Sequence, residues 1–271
     1  MMYCNKIIQK MLKYIILFIT IIILSNADNN IFIGRYSDNW DNCLNWSLQK
    51  CPNINDTVHI NDNYVSLKNN YININNLLLV NSRLIINNIN MNITNYLDNH
   101  DGTLIIINST VYIWNISNTI KTGALHLDNS NFIPNGNLIV DEYLSLSNLV
   151  LIPTNIYIYG MVEFSPNTQL LMAYTFNITQ YENSIIIIHV FNSTNTYLQQ
   201  YIFMCYQANM NGSLEIDFDG KVGHNKTLWW FFIMPAIMYG NNYNFKILSD
   251  YYNVSIKTMI DDSLVVTLID K

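Results

Sequence analysis

Arginine is nearly missing from this chain. Arg35 and Arg83 are the only two among 13 basic residues, and 19 acidic residues bring the net charge to −6. A partner made of phosphates asks for the opposite balance, so nucleic acid is not an expected ligand. Charge of either sign is scarce, at 12% against 50% hydrophobic residues. That composition would suit a membrane protein, yet long apolar runs are missing too. Only Tyr14 to Leu24, YIILFITIIIL, could enter a bilayer, and it falls short of the roughly 20 residues a spanning helix needs. Lys6, Lys10 and Lys13 precede it, and Ser25-Asn26-Ala27 follows. A basic start, a short apolar run and a small-x-small exit are the pattern of a secretory signal peptide cleaved after Ala27. A signal anchor left uncleaved is the alternative. Cleavage would leave no membrane span and place the remainder outside the cell, free or at its surface.

Cysteine is sparse as well, with Cys4 inside the leader and Cys43, Cys51 and Cys205 beyond it. An oxidising route makes Cys43–Cys51 the expected local bridge. Cys205 is then odd: a buried thiol, or a partner for another chain. A nucleophile motif, a phosphate loop and a cofactor signature are all lacking. What abounds is asparagine. Sequons stand at Asn45, Asn55, Asn92, Asn108, Asn115, Asn177, Asn192, Asn211, Asn225 and Asn253. On a secretory route several are expected to carry glycans at exposed positions, although composition alone accounts for part of their number.

A repeat organises the middle of the chain. NLLLVNSRLII (76–86), GTLIIINSTVYI (102–113), GALHLDNSNFIP (123–134), YLSLSNLVLIP (143–153) and GMVEFSPNTQLLM (160–172) each read as strand, polar turn, strand. The turn markers Asn81, Asn108, Asn129, Asn148 and Pro166 are spaced 27, 21, 19 and 18 residues apart. A unit of that length is the signature of a solenoid. Four residues before the markers stand Leu77, Leu104, Leu125, Leu144 and Val162. Two before them stand Leu79, Ile106, Leu127, Leu146 and Phe164. Residues two apart on a strand share a face, so these are expected to form two stacked apolar columns. Leu84, Val111, Phe132 and Leu151 follow the markers by three, with Gln169 the exception, and NLIVDE (137–142) and NIYIYG (155–160) suggest a third strand per unit. The expected fold is all-β: a right-handed parallel β-helix, with asparagines stacking at equivalent turns. At Asn108 this conflicts with glycosylation, because an amide stacked inward cannot carry a sugar.

The two ends carry a resemblance. NWDNCLNWSLQKCPNINDTVHI (39–60) sets Trp40, Trp46, Pro52, Asp56, Val58 and Ile60 in a pattern similar to the entry segment of secreted β-helix proteins. Those are the pectin-lyase-like superfamily, adhesin passenger domains and extracellular G8-type modules. The resemblance implies an N-terminal tryptophan-rich cap over the first coil, pinned by Cys43–Cys51. At the other end Phe245, Ile247 and Leu248 resemble a passenger-type closing segment, without its usual glycine. Residues 254–259 and 264–268 flank Asp261-Asp262 as a capping hairpin. LWWFFIM (228–234) reads as a buried strand or, more sharply, a docking patch. The expected organisation is signal peptide 1–27, cap 28–60, coils 61–190, and further coils with the hairpin over 191–271.

Pectin-lyase-like folds include many polysaccharide lyases and glycosidases, which cluster carboxylates, usually with Arg or Lys. Here Arg83 has no carboxylate next to it in sequence, and no dense Asp motif of the polygalacturonase kind occurs. The repeat register leaves one weak catalytic set: His126, Asp128 and Glu163, pointing outward, with Ser145, Ser147 and Ser165 in the same columns. Asp128 and Glu163 should lie two coils, roughly 10 Å, apart. These columns would begin with Leu78, Val80, Ile105 and Ile107, which suits a solvated face better than a pocket. Asp98, His100 and Asp101 read as a turn beside Gly102. Glu215, Asp217 and Asp219 alternate as carboxylates open to Ca²⁺, although no metal or cofactor is expected. The function expected is structural, adhesive or carbohydrate-binding, outside the cell, with an extracellular carbohydrate or a cell-surface protein as partner. A polysaccharide-active enzyme and a self-assembling coat component are the alternatives.

Overall fold

The computed structural model describes residues 28–68, 71–115, 119–147, 150–151, 153–164, 172–191, 199–201, 204–219, 227–231, 237–239, 244–248, 252–258 and 264–270. The backbone winds in stacked coils as a parallel β-helix with three sheet faces. The first face stacks Tyr64–Leu67, Arg83–Asn87, 103–107, 124–128, 143–147, Met161–Phe164, Ile185–Phe191, Ser213–Asp219 and Asn244–Leu248, every neighbour parallel. The second face runs through 72–74, 91–93, Thr110–Ile113, Asn131–Pro134, Val150–Leu151, 172–175 and 204–205. The third begins with Asp28–Ile31 and Asp56–Asn61 and continues through 76–80, 96–100, 119–122, 137–140, Asn155–Ile158, 177–180, 207–210 and Ile237–Tyr239.

Alternation along each strand sends every second side chain inward, and register makes those side chains coincide. Leu104, Leu125, Leu144 and Val162 pile up in the first face, and Ile106, Leu127, Leu146 and Phe164 form the adjoining column, all buried. One assignment at the start of the repeat is corrected. Leu77 and Leu79 lie on the third face, opposite Val58 and Ile60. The first-face columns continue instead through Leu84 and Ile86 to Val65 and Leu67. The same correction places Leu78 and Val80 on the third face, while His126 stacks on Ile105 and Ile85.

Two asparagine-type turns per coil cause the slip. Asp62, Asn81 and Asp101 turn the third face into the first; Asn88, Asn108 and Asn129 turn the first into the second; all six have φ between +47° and +58°. Asn and Asp tolerate this left-handed region best after glycine, so chemically alike turns recur at two corners. Counted at one corner, Asn88, Asn108 and Asn129 are 20 and 21 residues apart. Asn108 and Asn129 are exposed, and the Asn129 amide donates to Asn108 Oδ1 at 2.6 Å. The amide ladder therefore faces solvent, so burial does not set it against the sequon. The inward corner position is the next residue. Ser109 and Ser130 are buried, with hydroxyls donating to Ile107 O at 2.6 Å and Asp128 O at 2.7 Å. Gln169 lies outside the described residues; the register partner of Leu151 is Ala173.

The N-terminal cap is a knot of rings. Trp46 meets Trp40 and Phe32 edge-on, with centroids 4.7 Å and 5.0 Å away, and all three are buried. Trp46 Nε1 donates to Trp40 O at 2.8 Å, which gives the buried indole the partner it needs. Trp40 N donates to Ser66 O and Phe32 N to His59 O, fastening the cap to the first coil. Cys43 and Cys51 are joined; closing so short a loop contributes about 2–3 kcal/mol. Asp56 is fully buried; its Oδ2 accepts from both nitrogens of Asn53, while Oδ1 lies 3.3 Å from Lys50 Nζ. At the C-terminal end a separate sheet joins Tyr252–Thr258 to Leu264–Asp270 as an antiparallel pair, with Thr227–Phe231 on its far side and Gln199–Tyr201 beyond. This is the expected hairpin; Asp261 and Asp262 lie outside the described residues. Among the described residues no helix is long and apolar enough to cross a membrane.

Candidate functional site

Outward positions of the first face form columns of their own. One passes through Ile85, Ile105, His126, Ser145, Glu163, Ile187 and Glu215. Its neighbour passes through Ile107, Asp128 and Ser147, and, farther along, His189 and Asp217. On the other flank Ala124, Tyr143, Met161, Ile185 and Ser213 succeed one another. From His126 onward, polar side chains join the apolar ones on this surface.

Four side chains from successive coils are tied end to end there. The Tyr143 hydroxyl donates to Glu163 Oε2. Glu163 Oε1 lies 2.9 Å from His189 Nε2, and His189 Nδ1 lies 3.1 Å from Asp217 Oδ2. The imidazole thus bridges two acidic side chains carried by the coils on either side of its own. The side chains of His189, Glu163 and Asp217 are 23%, 30% and 37% exposed, so water and a ligand reach them. His126 continues the array by packing on the Tyr143 ring, centroids 5.1 Å apart and planes at 55°.

The surroundings fix the protons at one end. Partial burial, then the hydrogen bond to Glu163, push the Tyr143 hydroxyl up to about 12, against a smaller opposing effect of Ser145. Burial first, then the Arg83 charge, hold His126 below the usual histidine range, while Glu163 pulls the other way. At neutral pH His126 is therefore a neutral imidazole beside the protonated Tyr143 phenol.

Of the three residues singled out from sequence, His126 and Glu163 belong to this array and Asp128 does not. Asp128 is exposed and sits two coils before Glu163, in the neighbouring column. Tyr143, His189 and Asp217 complete the set in its place. Asp217 was legible as part of the EIDFDG alternation, and its Oδ2 meets an imidazole. The side chain of Asp219 and the residue Ser165 lie outside the described ones. His100 and Asp101 meet at 3.3 Å at an exposed corner, with Asp101 in the left-handed turn beside Gly102. Among the described residues no three His, Cys, Asp or Glu side chains converge as metal ligands would.

The sequons divide by environment. Asn55 and Asn108 are exposed. Asn92, Asn115, Asn177 and Asn211 are half-buried, their amides donating to Tyr71, Asn95, Asn155 and Asn209. Asn45 stands apart from these. It is fully buried, its Nδ2 donates to Ser37 Oγ and Asn39 O, and its Oδ1 accepts from the Tyr36 and Ser37 amides. Both hydrogens that a sugar could replace are committed. Asn192, Asn225 and the side chains of Asn253 and Cys205 lie outside the described residues, as does the second half of LWWFFIM. Comparison with known protein families, with curated proteins and with solved structures finds no match to this chain.

Proposed function

We propose that this chain is a secreted, glycosylated β-solenoid that binds carbohydrate along its first face. The observation that carries the reading is the Tyr143–Glu163–His189–Asp217 array, four polar side chains from four coils joined on one open surface. A sugar chain laid across the coils meets carboxylate acceptors for its hydroxyls and the Tyr143 and His126 rings for its C–H faces. The negative net charge favours a neutral or amino sugar over a polyanion. Export is supported by the leader pattern and by the Cys43–Cys51 bridge, which suits an oxidising compartment. The resemblance of 39–60 to pectin-lyase-like, adhesin passenger and G8-type entry segments points to the same setting.

Screening the mature chain on a glycan array, beside Glu163→Gln and His189→Ala, tests this. At least a tenfold loss of the wild-type signal in both variants is expected. Binding to no glycan, or equal binding by all three proteins, overturns the reading. The same array favours one second reading, a polysaccharide-active enzyme, because a carboxylate–imidazole–carboxylate chain can hold and pass protons. Release of reducing or unsaturated ends from the bound glycan, lost in Glu163→Gln, would replace binding by cleavage.

A further inference from the structure

The outward side of the second face carries an aromatic patch that the first-face array does not use. Tyr71 and Trp114 are 60% and 55% exposed. Tyr112 and Trp114, two residues apart, hold their rings within 23° of parallel, with centroids 6.0 Å apart. In the preceding coil Asn92 is the register partner of Tyr112 and Ile93 of Ile113, and Trp114 N donates to Ile93 O. The sequon Asn92-Ile93-Thr94 therefore runs alongside Tyr112-Ile113-Trp114. On the opposite side, Asn92 Nδ2 hydrogen-bonds the hydroxyl of Tyr71, which adjoins Ile72, the partner of Met91. Asn92 thus lies between Tyr71 of the preceding coil and the Tyr112–Trp114 pair of the following one, with Tyr71 and Trp114 exposed and Tyr112 half-buried. Exposed aromatic surface of this kind marks something that covers it. The apolar C–H face of a pyranose fits an aromatic ring, whose face is the negative end of its quadrupole.

We propose that Asn92 is glycosylated and that the first sugars of its glycan lie across Tyr112 and Trp114, so that the chain covers the patch with its own modification. The inference rests on the secretory part of the functional reading. Transfer exchanges one Nδ2–H bond for an Nδ2–C1 bond. The donor is a diphosphate-activated oligosaccharide; its diphosphate leaves with the bonding electrons and the amide proton passes to solvent. Asn92 Nδ2 can lose one hydrogen and still donate the other toward Tyr71. Asn45 cannot do the equivalent, because both of its hydrogens are donated within a buried site.

The chain is secreted from a eukaryotic host, each sequon is read by peptide mass spectrometry, and melting and apolar-dye fluorescence are measured for wild type, Thr94→Ala, Trp114→Ala and the pair. Thr94→Ala deletes the sequon and keeps Asn92. Asn92 is expected to be occupied and Asn45 bare. Thr94→Ala is expected to lower Tm by about 2–4 °C and to raise dye fluorescence severalfold, with both effects absent in the Trp114→Ala background. Trp114→Ala tests the contact without disturbing the interior, since that side chain is exposed. Glycans at Asn55 or Asn108 with none at Asn92 overturn this proposal alone. Retention of the chain inside the host, with every sequon bare, overturns the secretory reading with it. An occupied Asn92 whose removal acts equally in both backgrounds, or not at all, shows a sugar that does not cover the patch.

Discussion

Corners make the sharpest demands on single residues. The turn into the second face needs a left-handed backbone and then a residue buried at the corner, which is what Asn88-Ile89, Asn108-Ser109 and Asn129-Ser130 supply. The turn into the first face brings backbone against backbone. A Cβ added at Gly160 would stand 2.1 Å from the carbonyl oxygen of Glu142, and one at Gly123 would stand 2.6 Å from that of Gly102. Those oxygens belong to the neighbouring coil and cannot swing aside, so Gly160→Ala is expected to cost at least about 1–3 kcal/mol in denaturant unfolding. Asn45→Ala leaves the Tyr36 and Ser37 amides without their acceptor, at about 1–3 kcal/mol for the pair in denaturant unfolding. Two groups of the array give stability a pH dependence. The folded chain holds the Tyr143 proton up to about 12, whereas an unfolded tyrosine releases it near pH 10. That contribution is complete below about pH 10 and is lost as the pH rises through 12. His126 is displaced downward, so its contribution is complete above about pH 6.5 and is lost as the pH falls through the lowered value. Urea titrations across pH 5–7 and pH 9–12 should show both slopes, the first flattened by His126→Asn and the second by Tyr143→Phe.

Strands stack because alternation and register agree, and the columns follow from that. Leu125 is fully buried between Leu104 and Leu144; Leu125→Ala is expected to cost about 2–5 kcal/mol, near the top of the range because stacked strands cannot close the gap. These columns were legible in the sequence from Leu104 onward, since apolar types recur at fixed offsets from each turn. The first repeat was misaligned because Asn81 and Asn88 serve two corners with the same chemistry and nothing local tells them apart. The array was half legible for related reasons. Alternation assigns His126 and Glu163 to the outside but does not say how far a side chain reaches. Tyr143 opens a strand by pattern, yet its hydroxyl spans to the next coil. His189 sits in IIIIHVF, a polar residue on an apolar strand, which was the available signal. Register partners are 18 residues apart from Ser145 to Glu163 but 24 from Glu163 to Ile187 and 28 from Ile187 to Glu215, so an even spacing does not carry the alignment on to His189 and Asp217.

At the scale of the molecule each coil touches only the coils beside it, so stability is close to a sum of neighbour terms with the N-terminal cap closing one end. Trp46→Ala removes the ring that holds Trp40 and Phe32 together. It should loosen the first coils before the middle, with hydrogen exchange rising first in Asp56–Asn61 and Tyr64–Leu67. The Tyr143–Glu163–His189–Asp217 array depends on the same stacking, because no single coil contains more than one of its members. Cross-linking within the second face tests that stacking most directly. Thr110 and Asn131 are register partners on adjacent coils, and Asn90 is the partner of Thr110 on the other side. Adjacent partners stand about 4.8 Å apart, within disulfide reach, whereas Asn90 and Asn131 are separated by twice that. Mild oxidation followed by peptide mapping should find a bridge in Thr110→Cys/Asn131→Cys and none in Asn90→Cys/Asn131→Cys. A bridge in the second pair, or its absence from the first in folded protein, would contradict the coiled architecture and, with it, the binding face proposed on it.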